Sequence, residues 1–275
     1  MNGEVEVVKN PQRVVVFDYG LLDIIDNLGV EVVGLPKAAL PKRFEKYEDG
    51  KYADLGDLKE PDYEAINALQ PDLILLGGRQ ADLQEKFSEI APTLLLNING
   101  SKYMEDVKRN VNTLSKVFEK EDVASSKLKN IEDKINEIKT LVNEKDLSVL
   151  TLMVNEGAIS TYGPGSRYGL IYNELGFKPE DENIEVSTHG QQVSFEYVVD
   201  KNPEYIFVVD RGAAIGGEST AKAILENELI KSTDAYKNGR ILYLDSEAWY
   251  VISGGLNSTE IMLDEILNFI KSTSN

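Results

Sequence analysis

The chain of 275 residues contains no cysteine, one histidine and one tryptophan, and its 29 Lys and Arg are outnumbered by 47 Asp and Glu. Each shortage excludes something. Without cysteine there are no disulfides and no thiolate chemistry. One histidine cannot build a Cys/His zinc centre, nor the imidazole set of a free Zn or Mn carrier. A formal net charge of −18 repels phosphate backbones, so nucleic acid is not an expected partner. No run approaches the roughly eighteen consecutive apolar residues of a membrane-spanning helix. The nucleophile-elbow, P-loop and dinucleotide-fingerprint patterns are also missing, which leaves an enzyme without a visible nucleophile or base apart from one imidazole. The first residues, MNGEVEVVKNPQRVVVFD, enter a strand directly with no signal peptide.

What is present is an internal repeat. PDYEAINALQPDLILLGGR (61–79) and VSFEYVVDKNPEYIFVVDR (193–211) share one design: an aromatic and Glu, a short amphipathic helix, a Pro with an acid, an apolar strand, and an Arg past its end. Glu64, Pro71, Ile74 and Arg79 recur as Glu196, Pro203, Ile206 and Arg211, each pair 132 positions apart. A second echo sets LLDIIDNLGV (21–30) against YGLIYNELGF (168–177), helices expected to end at left-handed Gly29 and Gly176. Two echoes in one order imply two lobes of similar build.

Short apolar runs predict strands at Val14–Phe17, Val30–Gly34, Leu73–Leu76 and Leu94–Asn97, then at Val149–Val154, Tyr205–Val209 and Ile241–Leu244. Their alternation with helical stretches is the βαβ pattern of a mainly parallel sheet covered on both faces. Between the halves, residues 102–144 lack Pro and Gly, and Leu128, Ile131, Ile135, Ile138 and Val142 form one apolar stripe. Asp122 or Ser125 would cap this helix. About 23 residues rising about 1.5 Å each make a strut of roughly 35 Å, long enough to link two small lobes. The expected class is therefore α/β: two Rossmann-like lobes with mainly parallel sheets, joined by one long α-helix. The corresponding divisions are 1–100, 101–145 and 146–275.

Ligands of open α/β sheets bind beyond the carboxyl ends of the strands. Arg79 and Arg211 are expected there, and Arg167 lies in the Gly/Pro-rich loop YGPGSRYG (162–169). Three arginines meeting in an interlobe cleft would locally reverse the field of an acidic chain and call for an anionic ligand. Surface pairing of each Arg with a carboxylate is the plain alternative. His189 reads either as an ordinary loop residue or as a ligand. Trp249 and Tyr250 read either as packing near a Gly-rich turn or, with His189, as part of a site for a hard cation such as ferric iron. Two protein ligands leave a six-coordinate ion largely unfilled, so such a metal would arrive already chelated. Glu64 and Glu196 suit the first turn of a helix, and equally suit a two-fold partner carrying Arg or Lys.

VVVFDYGLLDIIDNLGVEVVGLPK, KYADLGDLKEPDYEAINALQPDLILLGGRQ, THGQQVSFEYVVDKNPEYIFVVDRGAAIG and ILYLDSEAWY together resemble the siderophore-binding proteins of bacterial iron ABC importers, specifically the catecholate branch with petrobactin- and enterobactin-type receptors. The resemblance runs along nearly the whole chain and implies a class III periplasmic-binding-protein fold. It implies that Arg79, Arg167 and Arg211 embrace an anionic ferric catecholate, on whose rings Arg and Trp249 or Tyr250 stack. His189 and Tyr250 would complete the iron shell of a tetradentate chelator. Glu64 and Glu196 would salt-bridge a dimeric membrane permease. It further implies no intrinsic cofactor, iron bound only as a siderophore complex, a monomer, and an extracytoplasmic mature chain. The signal peptide and lipid-anchor Cys of Gram-positive members are not found in this sequence. Haem or cobalamin on the same fold is the alternative cargo, and a two-domain nucleotide-dependent α/β enzyme the alternative class.

Overall fold

The structure is a computed structural model that describes residues 5–187, 189–218 and 220–273. The chain divides into two compact units. One comprises residues 1–98, 105–128 and 252–258, the other 99–104, 129–251 and 259–275.

The first unit is built on five parallel strands, β1 (Val14–Phe17), β2 (Gly34–Leu35), β3 (Ala53–Asp54), β4 (Leu73–Leu76) and β5 (Thr93–Leu95), in the order β3-β2-β1-β4-β5. Every residue of β1 and β4 is buried, as expected of central strands covered on both faces. Val15, Phe17, Ile74 and Leu76 pack with Ile66 and Phe87, which come from α2 (Tyr63–Ala68) and α3 (Gln84–Ser88). The strand expected at Val30–Gly34 is displaced. The Val30 N–H is spent closing α1 (Tyr19–Asn27) on the Ile25 carbonyl at 2.9 Å, and bonding to β1 starts at the Val33 N–H, which donates to the Val14 carbonyl at 2.9 Å. Gly29 and Gly176 do take left-handed backbone, with φ of +73° and +85°.

The stretch without Pro or Gly is two helices, α4 (Tyr103–Phe118) and α5 (Glu121–Lys145). Glu119 turns the chain with φ +56°, a left-handed position more often taken by Gly or Asn, so the break has no punctuation in the sequence. Helix α5 starts one residue before Asp122, with the Lys120 carbonyl accepting from Ala124, rather than on a side-chain cap at Asp122 or Ser125. The apolar stripe is where the spacing puts it: Leu128, Ile131, Ile138 and Val142 are buried and Ile135 half-buried. Residue 128 belongs to one unit and 129 to the other, so α5 is one of the segments by which the chain passes between them.

The second unit carries β6 (Ser148–Asn155), β7 (Ala158–Tyr162), β8 (Lys178–Pro179), β9 (Gln191–Val193), β10 (Tyr205–Asp210) and β11 (Ile241–Tyr243). The sheet order is β11-β10-β6-β7-β9, with β8 also pairing β6. Strands β11, β10, β6 and β8 are parallel, while β7 runs antiparallel to both of its neighbours, β6 and β9. Neither β7 nor β9 shows as an apolar run in the sequence, because their Ser, Thr and Gln content hides the strand. The helices are α6 (Gly169–Asn173), α7 (Phe195–Lys201), α8 (Arg211–Ala214), α9 (Ala221–Leu225), α10 (Glu228–Lys231), α11 (Asp234–Lys237) and α12 (Leu256–Thr273). Leu150, Leu152, Val154, Ile206 and Val208 form a core with Val198 of α7, Leu225 of α9 and Ile230 of α10.

Asp23 of α1 is a buried carboxylate, 3% exposed, at the amino end of α12. It accepts from the Ser258 N–H at 2.9 Å and from Asn27 Nδ2 at 3.1 Å. It thereby satisfies an amide that the helix leaves unbonded. Burial dominates and pushes its pKa up to about 6, against the lowering effect of the Ser258 and Asn257 amides. The fold thus favours protonated Asp23. Its contribution to stability is present below the ordinary value of 3.8 and is lost as pH rises through 6. Urea unfolding of Asp23→Asn and of the unaltered chain should show their difference moving in the variant's favour between pH 4 and 6.5, and flat below that window.

Candidate functional site

Arg211 is the first residue after β10, and the register places Asp210 opposite Val154 of β6. Arg211 therefore stands beside Asn155, and its Nη1 donates to Asn155 Oδ1 at 2.9 Å. Its Nε donates to the Tyr250 hydroxyl at 3.1 Å. The adjacent carboxylate of Asp210 does not neutralise it in this way. The Asp210 oxygens accept instead from the backbone N–H groups of Ala213 at 3.1 Å, Thr220 at 2.7 Å and Ala221 at 2.8 Å, capping α8 and closing the loop that follows.

Arg167 reaches the same phenol from the Gly163–Ser166 loop. Its guanidinium lies 4.1 Å from the centre of the Tyr250 ring and 5.5 Å from that of Tyr168, and Nη2 donates to the Tyr250 carbonyl at 3.1 Å. The loop is held by close backbone packing. A Cβ on Gly100 would stand 2.3 Å from the Arg167 Cα, and one on Gly169 would stand 2.5 Å from the Gly100 carbonyl oxygen. Asn173 Nδ2 donates to the Pro164 carbonyl at 2.9 Å. Both arginines are half-buried, and among the described residues neither is ion-paired to a carboxylate. For these two, surface pairing with carboxylates is set aside.

Beneath them, Tyr162 and Tyr168 stack edge to face with centroids 4.8 Å apart. Burial raises the Tyr162 phenol to about 12 despite the opposing fields of Arg167 and Arg211, and burial likewise pushes Tyr168 up. The Tyr162 hydroxyl donates to the His189 carbonyl at 2.8 Å. His189 itself is exposed in the turn before β9. Tyr162 and Asn155 are absent from the expected set. Tyr162 opens the YGPGSRYG motif and could have been found there, whereas Asn155 emerges only from strand register.

Trp249 requires a correction. It is 1% exposed, its indole N–H is donated to the Glu265 carboxylate, and its ring sits 6.1 Å from that of Tyr168. It has no face to offer a ligand and instead backs the tyrosines. Residues 247–251 form a π-helical turn, so neighbouring side chains diverge, and half-buried Tyr250 takes the open side.

Arg79 lies in the other unit, exposed, on a 3₁₀ turn (Gly78–Leu83) after β4, within the electrostatic reach of Asp18. Glu64 and Glu196 are both exposed in the first turns of α2 and α7. Asp62 caps α2 through the Ala65 N–H at 3.0 Å, and Ser194 caps α7 through the Tyr197 N–H at 3.3 Å. Bonds from its own N–H and the Ser194 hydroxyl hold the Glu196 carboxyl below its ordinary value. No group of three or more His, Asp or Glu among the described residues is placed to hold a metal ion.

The sequence profile of the periplasmic binding protein family matches residues 14–248. The chain belongs to that family. It is 48% identical over 263 residues to the petrobactin-binding protein YclQ of Bacillus subtilis, covering 95% of this chain and 83% of the relative. The crystal structure of YclQ superposes with a TM-score of 0.93 at 46% identity, covering 97% and 94% of the two chains. The ferric-anguibactin-binding protein FatB of Vibrio anguillarum is 34% identical over 98% of this chain and 86% of its own. The catecholate-siderophore binding protein VctP of Vibrio cholerae matches at TM-score 0.91 and 35% identity, over 96% of each chain. Each is named as a binding protein. The two-lobed α/β architecture read from the sequence is the class III fold of these structures. Among the described residues no helix is long and apolar enough to cross a membrane.

The placement of Trp249 makes one expectation. Its emission should be blue-shifted relative to free indole and resist acrylamide, because quencher cannot reach a ring this buried. Ready quenching of the native protein by acrylamide would contradict this placement.

Proposed function

We propose that this chain is the substrate-binding component of a bacterial ABC importer, and that its cargo is a ferric siderophore of the catecholate class. The observation that carries the reading is the pair of guanidiniums at Tyr250, supported only by neutral groups. Arg167 and Arg211 keep donor capacity and positive charge directed at one place, in a chain whose net charge is −18. A tris-catecholate ferric complex carries about three negative charges and flat aromatic rings, so it can accept from forked donors and stack on their planes. Ferric hydroxamates are closer to neutral and would leave the arginines uncompensated. The petrobactin and catecholate relatives point the same way.

In this proposal Arg167 and Arg211 grip the anionic chelate and Tyr250 stacks or ligates. Arg79 contributes a third cationic contact to the same cargo, assigned by its place in the repeat. His189 and Tyr250 fill iron positions only when the chelator is tetradentate. The chain holds no resident cofactor, performs no reaction, works as a monomer outside the cytoplasm, and hands its cargo to a dimeric permease through Glu64 and Glu196.

Ferric tris-catecholates should quench Trp249 saturably by energy transfer, while ferrioxamine, a hydroxamate complex, should not. Arg167→Ala and Arg211→Ala should each weaken the catecholate by about 10- to 100-fold, the worth of about 1.5–3 kcal/mol for a charge-assisted bond. Equal quenching by ferrioxamine, or full affinity in both variants, would remove the assignment. For the carboxylates, Glu64→Ala with Glu196→Ala should leave cargo affinity unchanged and lower uptake in cells carrying the cognate permease. A fall in affinity would instead place them at the cargo.

A further inference from the structure

The Tyr162 hydroxyl is a buried group that the proposed cargo contacts do not use, and its bond runs to the backbone of the one histidine. Tyr162 is fully buried at the end of β7, and its hydroxyl donates to the His189 carbonyl at 2.8 Å, with Met153 Sδ 3.6 Å away. Among the described residues, the His189 N–H reaches Ser187 Oγ at 3.3 Å and the Gly190 N–H reaches the Ser187 carbonyl at 3.2 Å, both local bonds. Gly190 adopts φ +75°, and a Cβ there would lie 2.6 Å from Tyr162 Cζ and 2.9 Å from the Thr161 carbonyl oxygen. The phenol ring is thus flush against the backbone that carries His189. On its other side the ring meets Tyr168, whose own ring lies 5.5 Å from the Arg167 guanidinium.

We infer that Tyr162 is a positioning residue that orders the backbone turn carrying His189, and so lets the protein hold ferric chelates that leave two coordination sites open. The inference rests on the reading of His189 and Tyr250 as ligands for tetradentate complexes. An exposed imidazole on a locally bonded turn has to be ordered before it can ligate, and that ordering counts against affinity. The Tyr162 bond makes part of that restriction in advance. A hexadentate chelator fills the iron shell itself and gains nothing from the imidazole, so the effect is selective for denticity. A residue that merely kept the unit folded would affect both kinds of cargo alike.

The test compares a ferric bis-catecholate with a ferric tris-catecholate on the full chain and on Tyr162→Phe, Gly190→Ala and His189→Ala. Trp249 quenching gives affinity, the ligand-to-metal band reports coordination, and hydrogen exchange reports the His189 and Gly190 amides. In Tyr162→Phe the bis-catecholate should weaken by about tenfold or more and its band should revert toward that of the free complex. The tris-catecholate should stay within about threefold, and exchange at the two amides should rise. Adding Tyr162→Phe to His189→Ala should cost the bis-catecholate nothing further, since one residue acts through the other. Gly190→Ala, whose Cβ would press on the phenol ring and part it from the turn, should reproduce the selective loss. Equal loss for both complexes, no loss for either, or unchanged exchange would overturn the inference. Failure of the unaltered chain to bind either complex would instead overturn the cargo assignment, and the exchange measurement would still decide whether Tyr162 orders the turn.

Discussion

Two guanidinium groups are held against one phenol with only neutral groups as their partners, and much of the second unit serves that arrangement. Like charges at such range repel, and half-burial weakens the screening that water supplies. The arrangement is tolerable because each cation keeps good acceptors: Asn155 Oδ1, the Tyr250 hydroxyl and the Tyr250 carbonyl. The faces of Tyr250 and Tyr168 add attraction of the cation–π kind. The surplus of acids elsewhere lowers the global cost. What remains is the local positive charge on which the proposed anionic cargo rests.

The backbone explains why no resident acid takes that role. Asp210 precedes Arg211 in sequence and would be its natural counter-ion. Its carboxylate is instead bonded to three backbone amides, so it closes a loop and caps a turn. The same economy operates at Arg167, where Gly100 and Gly169 let two backbone segments meet closely enough to fix the loop without a salt bridge. Side chains that would otherwise neutralise the site are committed to geometry, and the arginines are oriented by amides, rings and hydroxyls.

How much of this is legible in the sequence depends on the range of the interaction. Central strands such as Val14–Phe17 and Leu73–Leu76 announce themselves, because burial on both faces demands continuous apolar runs. The strands of the antiparallel β7–β9 pair do not, since their Ser, Thr and Gln residues satisfy a ladder without an apolar run. The left-handed glycines at 29 and 176 are readable from helix-end chemistry, yet the equivalent turn at Glu119 is not, because the residue there gives no hint of positive φ. Arg211 is legible from the repeat it shares with Arg79, and Arg167 from its Gly/Pro-rich loop, but the meeting of Arg167 and Arg211 at Tyr250 depends on strand register and loop packing. Trp249 shows the limit most directly. Adjacency to Tyr250 in sequence suggested a shared role, whereas successive residues on a helical turn face different ways and Trp249 took the inner one.

The repeat can also be divided by what local physics already requires. Asp62 and Ser194 cap their helices, and Glu64 and Glu196 sit in first turns where the helix dipole favours an acid. Recurrence of those residues follows in part from building the same helix twice. The recurring arginines have no such local cause. Arg211 opens a helical turn, and Arg79 lies in the first turn of another, where a cation is on the wrong side of the dipole. A residue that recurs without being required by its helix start needs a cause outside that start. By that criterion helix building accounts for the glutamates more fully than for the arginines, although the two pairs are equally regular in sequence. The exposure of Glu64 and Glu196 is what their helices leave unexplained, and it is the part of their placement on which a partner-docking role has to rest.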